Sequence, residues 1–516
     1  MVSVTRSQTG RTPKKPEHPG FVETPTVVRR SRSRARSQSR PRRSASRGVG
    51  EAEPKIKREE EDVAAAPKKQ KNHKVDDSGE YEFCGPWGVS MVMLGFPLMM
   101  YYFWVGQVYY DGQFPWPKAD ESWEDFGKHL VQMALECAMP TVRSFAVYWV
   151  FMVWQIVLYI TLPGVWTKGN PLPHLNGERL PYFCNAMWSL YVTLTTVGIL
   201  HATGIFNVTE LIDDFGAYMS TGILSGIMVA VIAYVSAIAR GAQHKMTGNF
   251  VYDFFMGAEL NPRIFKIVDL KMFFEVRLPW YILLIISVAG ALKQYELYGY
   301  VTPQMSFFIL AHWLYANACS KGEELIVTTY DMFTEKWGFM LIFWNMAGVP
   351  LSYCQGPLYI VRHHPSRYNW SLPTNVAIYF ILVAAYFVFD TCNSQKNRFR
   401  QMEKGTLIIR KTFPQLPYQT IKNPTFIRCK NGGTLLTSGW YGMARKIHYT
   451  ADFFQLGSWG LICGFESPLP WFLPVFFTLM ILHRTYRDDH RCAQKYGDDW
   501  KEYTKQVPYL YIPYVI

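Results

Sequence analysis

Charge is scarce in this chain: 18% of its 516 residues are Asp, Glu, Lys or Arg, while 49% are hydrophobic and 16% aromatic. That balance excludes an ordinary soluble enzyme and points to a membrane-embedded body. Paired cysteines are missing as well. The nine cysteines are scattered from Cys84 to Cys492 with no CxxC spacing, which argues against a zinc site and against a secreted disulfide framework. No metal is expected, and the thiols read as apolar filler. No GxGxxG follows a strand, so a Rossmann domain is not on offer. No basic-then-apolar leader opens at Met1, so the first apolar span near residue 90 is expected to act as an uncleaved insertion signal. The residues before it then stay cytosolic.

What charge there is sits unevenly. Residues 1–80 hold 20 Lys and Arg against 11 Asp and Glu, a net +9 of the chain's +13. From Arg29 to Arg47 basic residues alternate with serine and other small residues, leaving almost nothing to bury, so 1–80 is expected to be a disordered tail. A solvated tail with weak topological influence is the plain reading. Acidic partners, nucleic acid or acidic lipid, are the functional ones, with phosphorylation of the interleaved serines as a means of neutralising the run. No nucleic acid is expected on the body, 81–516.

Beyond Gly79, apolar stretches alternate with short polar connections. Spans are expected near 88–107, 144–162, 182–201, 217–239, 279–292, 303–319, 338–361 and 374–391, with a hairpin of two over 453–482 broken at Glu466-Ser467-Pro468; a bilayer crossing needs about twenty mostly apolar residues. The fold class is therefore all-α, a polytopic transmembrane helix bundle of about ten spans. An even count keeps the basic tail and the basic C-terminal cluster on one side, as the positive-inside bias requires. Gly222 and Gly226 form a GxxxG in an apolar span, read as helix packing within the bundle, with dimerisation as the minor alternative.

Three polar stretches interrupt this pattern: Gly248 through Arg277, Asn393 through Lys446, and the run Leu482 to Gly497 that directly follows the apolar segment 468–482. In the last, His483, Arg484, Arg487, Asp488 and Arg491 recur at spacings of three and four. One helix can thus aim several cations at a bound anion with a carboxylate alongside, which suits a phosphorylated cofactor. A simple positive-inside anchor would need the arginines but not the histidines, aspartates or Lys495-Tyr496-Gly497. Together the three stretches are expected to make a polar pocket at one membrane face.

Two of these runs carry a resemblance. Gly248-Asn249-Phe250-Val251-Tyr252-Asp253-Phe254-Phe255-Met256-Gly257-Ala258-Glu259-Leu260-Asn261-Pro262-Arg263 and the run from Leu482 to Gly497 resemble the two signatures of the sterol reductase family, over roughly residues 80–516. That family holds C-14, C-7 and C-24(28) sterol reductases and the membrane domain of the lamin B receptor. The opening Tyr81-Glu82-Phe83-Cys84-Gly85-Pro86-Trp87-Gly88 and the ending Val507 to Ile516 are similar to the fungal C-24(28) branch.

The resemblance implies NADPH as cofactor, bound by Lys396 and Arg400, by Leu436 and Tyr441, by His448 and Tyr449, by Asp488, by the run Cys492, Ala493, Gln494, Lys495 and Tyr496, and by Tyr503. Relatives carry Trp where this chain has Tyr441 and Asn-Tyr where it has His448-Tyr449. An unactivated C=C bond has no carbonyl to stabilise charge, so it must be protonated before it takes a hydride. The enzyme needs an acid, with water excluded and the nicotinamide held close. The expected acid is Tyr315, with Asp488 as ionisable partner and His483 as an alternative relay; Glu323, Glu324, Thr328 and Asp331 are expected near the same cavity.

The implied activity is NADPH-dependent reduction of a C-24(28) sterol double bond, the last step of ergosterol synthesis, at the endoplasmic reticulum membrane with a cytosolic N-terminus. The implied partners are a sterol drawn from the bilayer, membrane lipid and other enzymes of the pathway. The alternatives are C-14 or C-7 reduction, or a non-catalytic tether like the lamin B receptor, which also joins an arginine-serine stretch to this membrane domain.

Overall fold

Helix starts along this chain are written in short polar side chains. Thr141 and Ser144 form a reciprocal capping box, and Asp269, Thr302 and Ser371 each accept from a backbone N–H in the first turn that follows. Each cap satisfies donors that a helix end in lipid could not leave bare. The computed structural model describes residues 74–515 apart from 77 and 408–412. The expected tail disorder therefore lies, except for its last few residues, outside the described residues, as do Arg410 and Lys411.

Among the described residues, eleven longer helices frame the body: α1 Gly85–Tyr109, α2 Trp123–Ala138, α3 Val142–Thr161, α4 Ala186–Ala202, α5 Phe215–Ala239, α6 Leu270–Tyr298, α7 Pro303–Lys321, α8 Leu372–Glu403, α9 Ile447–Cys463, α10 Phe472–Tyr496 and α11 Asp498–Gln506. Strand is limited to two-stranded antiparallel pairs among the described residues: β1 Val165–Leu172 with β2 Glu178–Cys184, β3 Arg263–Ile264 with β4 Val268–Asp269, and β5 Phe426–Arg428 with β6 Thr434–Leu436. The protein is a helical membrane protein, as its composition required.

Among the described residues, α1, α3, α5, α6 and α8 are long and apolar enough to cross a membrane. The most apolar window of α6 is 78% buried against 28–33% in the other four, so α6 is the axis around which they pack. These are five of the roughly ten expected crossings; of the other expected runs, α4 is shorter and the one over 338–361 is broken. There, Phe339–Phe343 is α-helical, Trp344–Gly348 widens to a π turn, and Val349–Ser352 and Gln355–Arg362 follow as separate helices. Pro350 explains part of the break, because it has no N–H for the carbonyl four residues back. That carbonyl, of Met346, accepts instead from the Tyr148 hydroxyl at 2.7 Å.

The GxxxG packs onto this broken run. A Cβ on Gly222 would lie 2.6 Å from Leu351 Cδ1, and one on Gly226 3.3 Å from Phe343 Cα, so the small residues let α5 approach as expected within the bundle.

Helix α6 also starts earlier than its apolar run suggests, at Leu270 rather than near 279. Its first turns carry charge that is buried, not solvated. Lys271 donates to the carbonyls of Asp331, Met332 and Glu335 at 2.7–3.0 Å. Arg277 pairs with Glu323 at 2.8 Å, donates to Asn185 Oδ1 at 2.6 Å and lies over the Tyr159 ring. Glu323 in turn accepts from the Ala186 N–H at 2.8 Å. The fully buried pair thus ties α3, α4, α6 and the end of α7 together.

Candidate functional site

The C-terminal turns of α7 and α8, the start of α9 and the polar half of α10 meet at one end of the bundle. Lys396 and Arg400 are one turn apart on α8, so both reach the same side. The loop opposite them is pinned to α8: Gln395 Oε1 accepts from the Trp440 N–H at 3.0 Å, and Trp440 Nε1 donates to Thr391 Oγ1 at 2.8 Å. Gly439, at φ +63, makes the turn, and a Cβ there would meet Gln395 Oε1 at 2.3 Å. Only glycine lets this loop close so tightly.

That loop sets Tyr441 beneath Lys396, whose ammonium lies 4.7 Å from the ring centroid, a cation–π contact. Tyr441 is buried among Cys392, Phe399, Leu436, Ala444 and Ile447. Its hydroxyl is 3.3 Å from His448 Nδ1, and the His448 and Tyr449 rings follow at 4.1 Å. Burial pushes the Tyr441 phenol well above its ordinary range, so it stays a neutral hydrogen-bonding ring. Lys396, Lys446, Arg484 and Arg400 all act electrostatically on His448. Four basic side chains therefore act on a short column of flat rings.

The remaining residues expected in the cofactor pocket divide. Tyr503 is buried with Trp500 and Val507 against Cys492 and Tyr496. Its phenol is pushed up to about 12 by burial, with Arg445, Cys492 and Arg400 acting on it. Cys492 lies within the field of Lys446 and Lys396. Ala493, Gln494 and Lys495 are exposed, and Tyr496 stacks on Trp500 at 6.3 Å. Asp488 is joined to Lys446 in an ion pair. Arg445 Nη1 donates to the carbonyls of Val507 and Pro508 at 2.9 and 3.1 Å, and the Arg445 and Lys446 N–H groups bond Tyr509 and Leu510. The C-terminal segment is thereby laced across the site.

A phosphorylated dinucleotide fits this chemistry. Flat rings and guanidinium groups stack on bases or nicotinamide, and Lys396, Arg400, Lys446 and Arg484 outnumber the neighbouring carboxylates Asp488 and Asp489, which suits an anion.

Tyr315 lies deeper, on α7. Its ring is 4.4 Å from Trp280 and 6.2 Å from both Phe389 and Trp459. Asp488, the expected partner of Tyr315, is engaged with Lys446, and the carboxyl acting on Tyr315 is Asp452. His483 is exposed on α10. Of the residues expected near the cavity, Glu323 is locked to Arg277, while Thr328 donates to the Leu325 carbonyl and Lys271 holds the Asp331 carbonyl. Glu324 does line a cleft of 280 Å³ with Cys319, Lys321, Asn393, Arg398 and His448.

Asp452 escaped the sequence reading because it sits singly in an apolar stretch. Its signal was spacing: His448, Asp452, Gln455 and Trp459 fall on one face of α9. Asp452 Oδ1, both side-chain polar atoms of Gln455, Trp459 Nε1 and His312 Nε2 are buried without a hydrogen-bond partner among the described residues. Left so, each would cost about 1–3 kcal/mol, which marks this face as built for something polar.

The motif at 248–263 shares the same end but does not line the ring column. Asp253 accepts from the N–H groups of Thr247 and Gly248 at 3.0 Å and faces Lys336. The Tyr252 hydroxyl accepts from the Glu82 N–H at 2.9 Å, and its ring meets Tyr81 edge-on. The motif anchors the segment that leads into α1.

The fold and this site together define a helical membrane protein with a cationic, ring-lined pocket at one end of its bundle. The model of the ergosterol biosynthesis ERG4/ERG24 family matches residues 77–516, and the chain belongs to that family. It is similar to the Delta(24(24(1)))-sterol reductase of Gibberella zeae, 57% identical over 443 residues covering 86% of this chain and 74% of that protein. It is 54% identical to the Delta(24(24(1)))-sterol reductase erg4A of Aspergillus fumigatus, over 85% of this chain and 93% of the relative. A Delta(14)-sterol reductase of Methylotuvimicrobium alcaliphilum is 33% identical over 84% of this chain and 95% of its own.

Proposed function

We infer that this protein is an NADPH-dependent sterol reductase that saturates the C-24(28) double bond of an ergosterol precursor in the endoplasmic reticulum membrane. The observation that carries the reading is the convergence of Lys396, Arg400, Lys446 and Arg484 on the ring column Tyr441, His448 and Tyr449, with Tyr315 and Asp452 deeper in the bundle. The two relatives at 54 and 57% identity, both named for the 24(24(1)) bond, support that regiochemistry over C-14 or C-7.

The residues divide the work. Lys396 and Arg400, with Lys446 and Arg484, hold the phosphates, and Tyr441 and His448 floor the site as flat surfaces. NADPH, when bound, supplies the hydride. Tyr315 protonates the exocyclic methylene carbon, which puts the positive charge on the more substituted carbon. The walls of Trp280, Phe389 and Trp459 around Tyr315 keep water from that cation. The substrate is a sterol drawn from the bilayer.

The test is sterol profiling of cells lacking the protein, paired with turnover by purified protein in reconstituted membranes. Accumulation of 24(28)-unsaturated sterols, and NADPH-dependent saturation in vitro, are expected. Accumulation of 14-ene sterols would move the assignment to another branch of the family.

A further inference from the structure

We propose that Asp452 is the proton reserve of this active site, acting through Tyr315 rather than on the sterol itself. The proposal rests on the reductase reading above.

A tyrosine is a weak acid, and protonating an alkene leaves a phenolate that must be neutralised at once. The acid behind it must hold a proton and sit close. Asp488 meets neither condition: it is bonded to Lys446, and an ion-paired carboxylate can only accept. Asp452 differs in surroundings. It is 6% exposed, and its Oδ1 has no partner among the described residues. The titratable groups acting with it are Tyr315 and Cys319 from α7, Cys392 from α8 and Tyr449 on its own helix. None of these four is a cation, while Lys396 of α8 and Arg484 of α10 act on Cys392 and Tyr449 beside it; buried and without an ion pair among the described residues, the carboxyl is able to carry a proton.

Position supports the same role. Asp452 lies one turn from His448, which belongs to the ring column, and two turns from Trp459, which touches Tyr315 at 6.2 Å. Asp452 thus lies on the helix stretch that runs from the ring column to the wall of the phenol. The step balances. The π electrons of the alkene take the Tyr315 proton to form one C–H bond, and a hydride from the reduced nicotinamide dinucleotide, with its electron pair, forms the other. Asp452 passes its proton to the Tyr315 oxygen, and a solvent proton later restores the carboxyl.

The experiment uses full-length protein in reconstituted membranes, with a 24(28)-methylene sterol and NADPH, and wild type, Asp452→Asn and Asp452→Glu compared over a pH series. In wild type, turnover is expected to fall as pH rises, because the reserve must be protonated. Asp452→Asn should bind NADPH within twofold of wild type, turn over on the order of a hundredfold more slowly and lose that alkaline limb. Asp452→Glu should recover to within about tenfold, with the limb displaced. Turnover of Asp452→Asn near wild type, or an alkaline limb unchanged in it, overturns the proposal. If Asp452→Asn fails to bind NADPH, the glutamate variant decides: a displaced limb supports the proposal and an unmoved one overturns it. Wild type that reduces no sterol would instead overturn the functional reading, and this inference with it.

Discussion

Arg487 of α10 reaches across the bundle to Glu82, three residues before α1, and holds its carboxylate at 2.6 Å; Arg491, one turn further, holds the same oxygen at 2.9 Å. The two arginines flank Asp488 on the helix that carries the cationic half of the site. Residues 74–76 and 78–84 thus form a strap, which also pairs Val75 with Met246. It places the chain leading into α1 and the C-terminal cluster at one end of the molecule.

The strap predicts a small, salt-sensitive effect. All three side chains are partly exposed, so each ion pair contributes about 0.2–1 kcal/mol. Glu82→Ala should raise the Michaelis constant for NADPH by roughly two- to fivefold with turnover unchanged, and the difference should shrink as salt is added. Steady-state kinetics at two ionic strengths check this; a loss of turnover in place of affinity would place Glu82 elsewhere in the mechanism.

Arg400 and Lys396 predict cofactor choice. Charge-assisted contacts to phosphate contribute roughly 1.5–3 kcal/mol each, which is about ten- to hundredfold in affinity. Arg400→Ala should raise the Michaelis constant for NADPH by that factor while leaving that for sterol nearly unchanged. Wild type should prefer NADPH over NADH. Equal kcat/KM with both cofactors would contradict the assignment of these cations to a phosphorylated nucleotide.

How much of this was legible in the sequence follows from what each residue does. The helices announced themselves, because apolar runs of twenty residues have few other uses. The two cations on α8 and the ring residues of the loop were reached through motif likeness, and the structure brings Lys396, Tyr441 and His448 into contact. The start of α6 was hidden, since Lys271 and Arg277 look like loop charge until their partners, backbone carbonyls and Glu323, are seen from distant segments. The break at 344–354 was hidden for a similar reason: only Pro350 hints at it, and the Tyr148 bond that makes it tolerable comes from another helix. Asp452 was missed because a lone carboxyl in an apolar run has no local signature; Asp488, in a dense charged cluster, drew the assignment that its ion pair with Lys446 does not support.

The buried pair Arg277 and Glu323 predicts a stability effect without a chemical one. Removing one partner leaves a charge with no solvent, at about 3–5 kcal/mol. Glu323→Ala should lower the melting temperature of the detergent-solubilised protein far more than Glu82→Ala, because Arg277 and Glu323 are both fully buried. Replacing both by apolar residues of similar size, Arg277→Met with Glu323→Leu, should recover part of the loss. A Glu323→Ala protein with unchanged melting would mean that water reaches the pair.

Tyr315 carries the sharpest test. Tyr315→Phe removes one oxygen from a ring that keeps its contacts with Trp280, Phe389 and Trp459, so folding and NADPH affinity should be preserved. If the phenol donates the proton, turnover at saturating NADPH and sterol should fall on the order of a hundredfold or more, the usual loss for a general acid. Asp488→Asn should behave differently: it frees Lys446 from its ion pair, and the extra cation at the phosphate side should change NADPH affinity more than turnover. The two variants therefore separate along kcat and KM. Near-normal turnover of Tyr315→Phe would remove the phenol from the mechanism and leave Asp452 as the group that protonates the alkene directly.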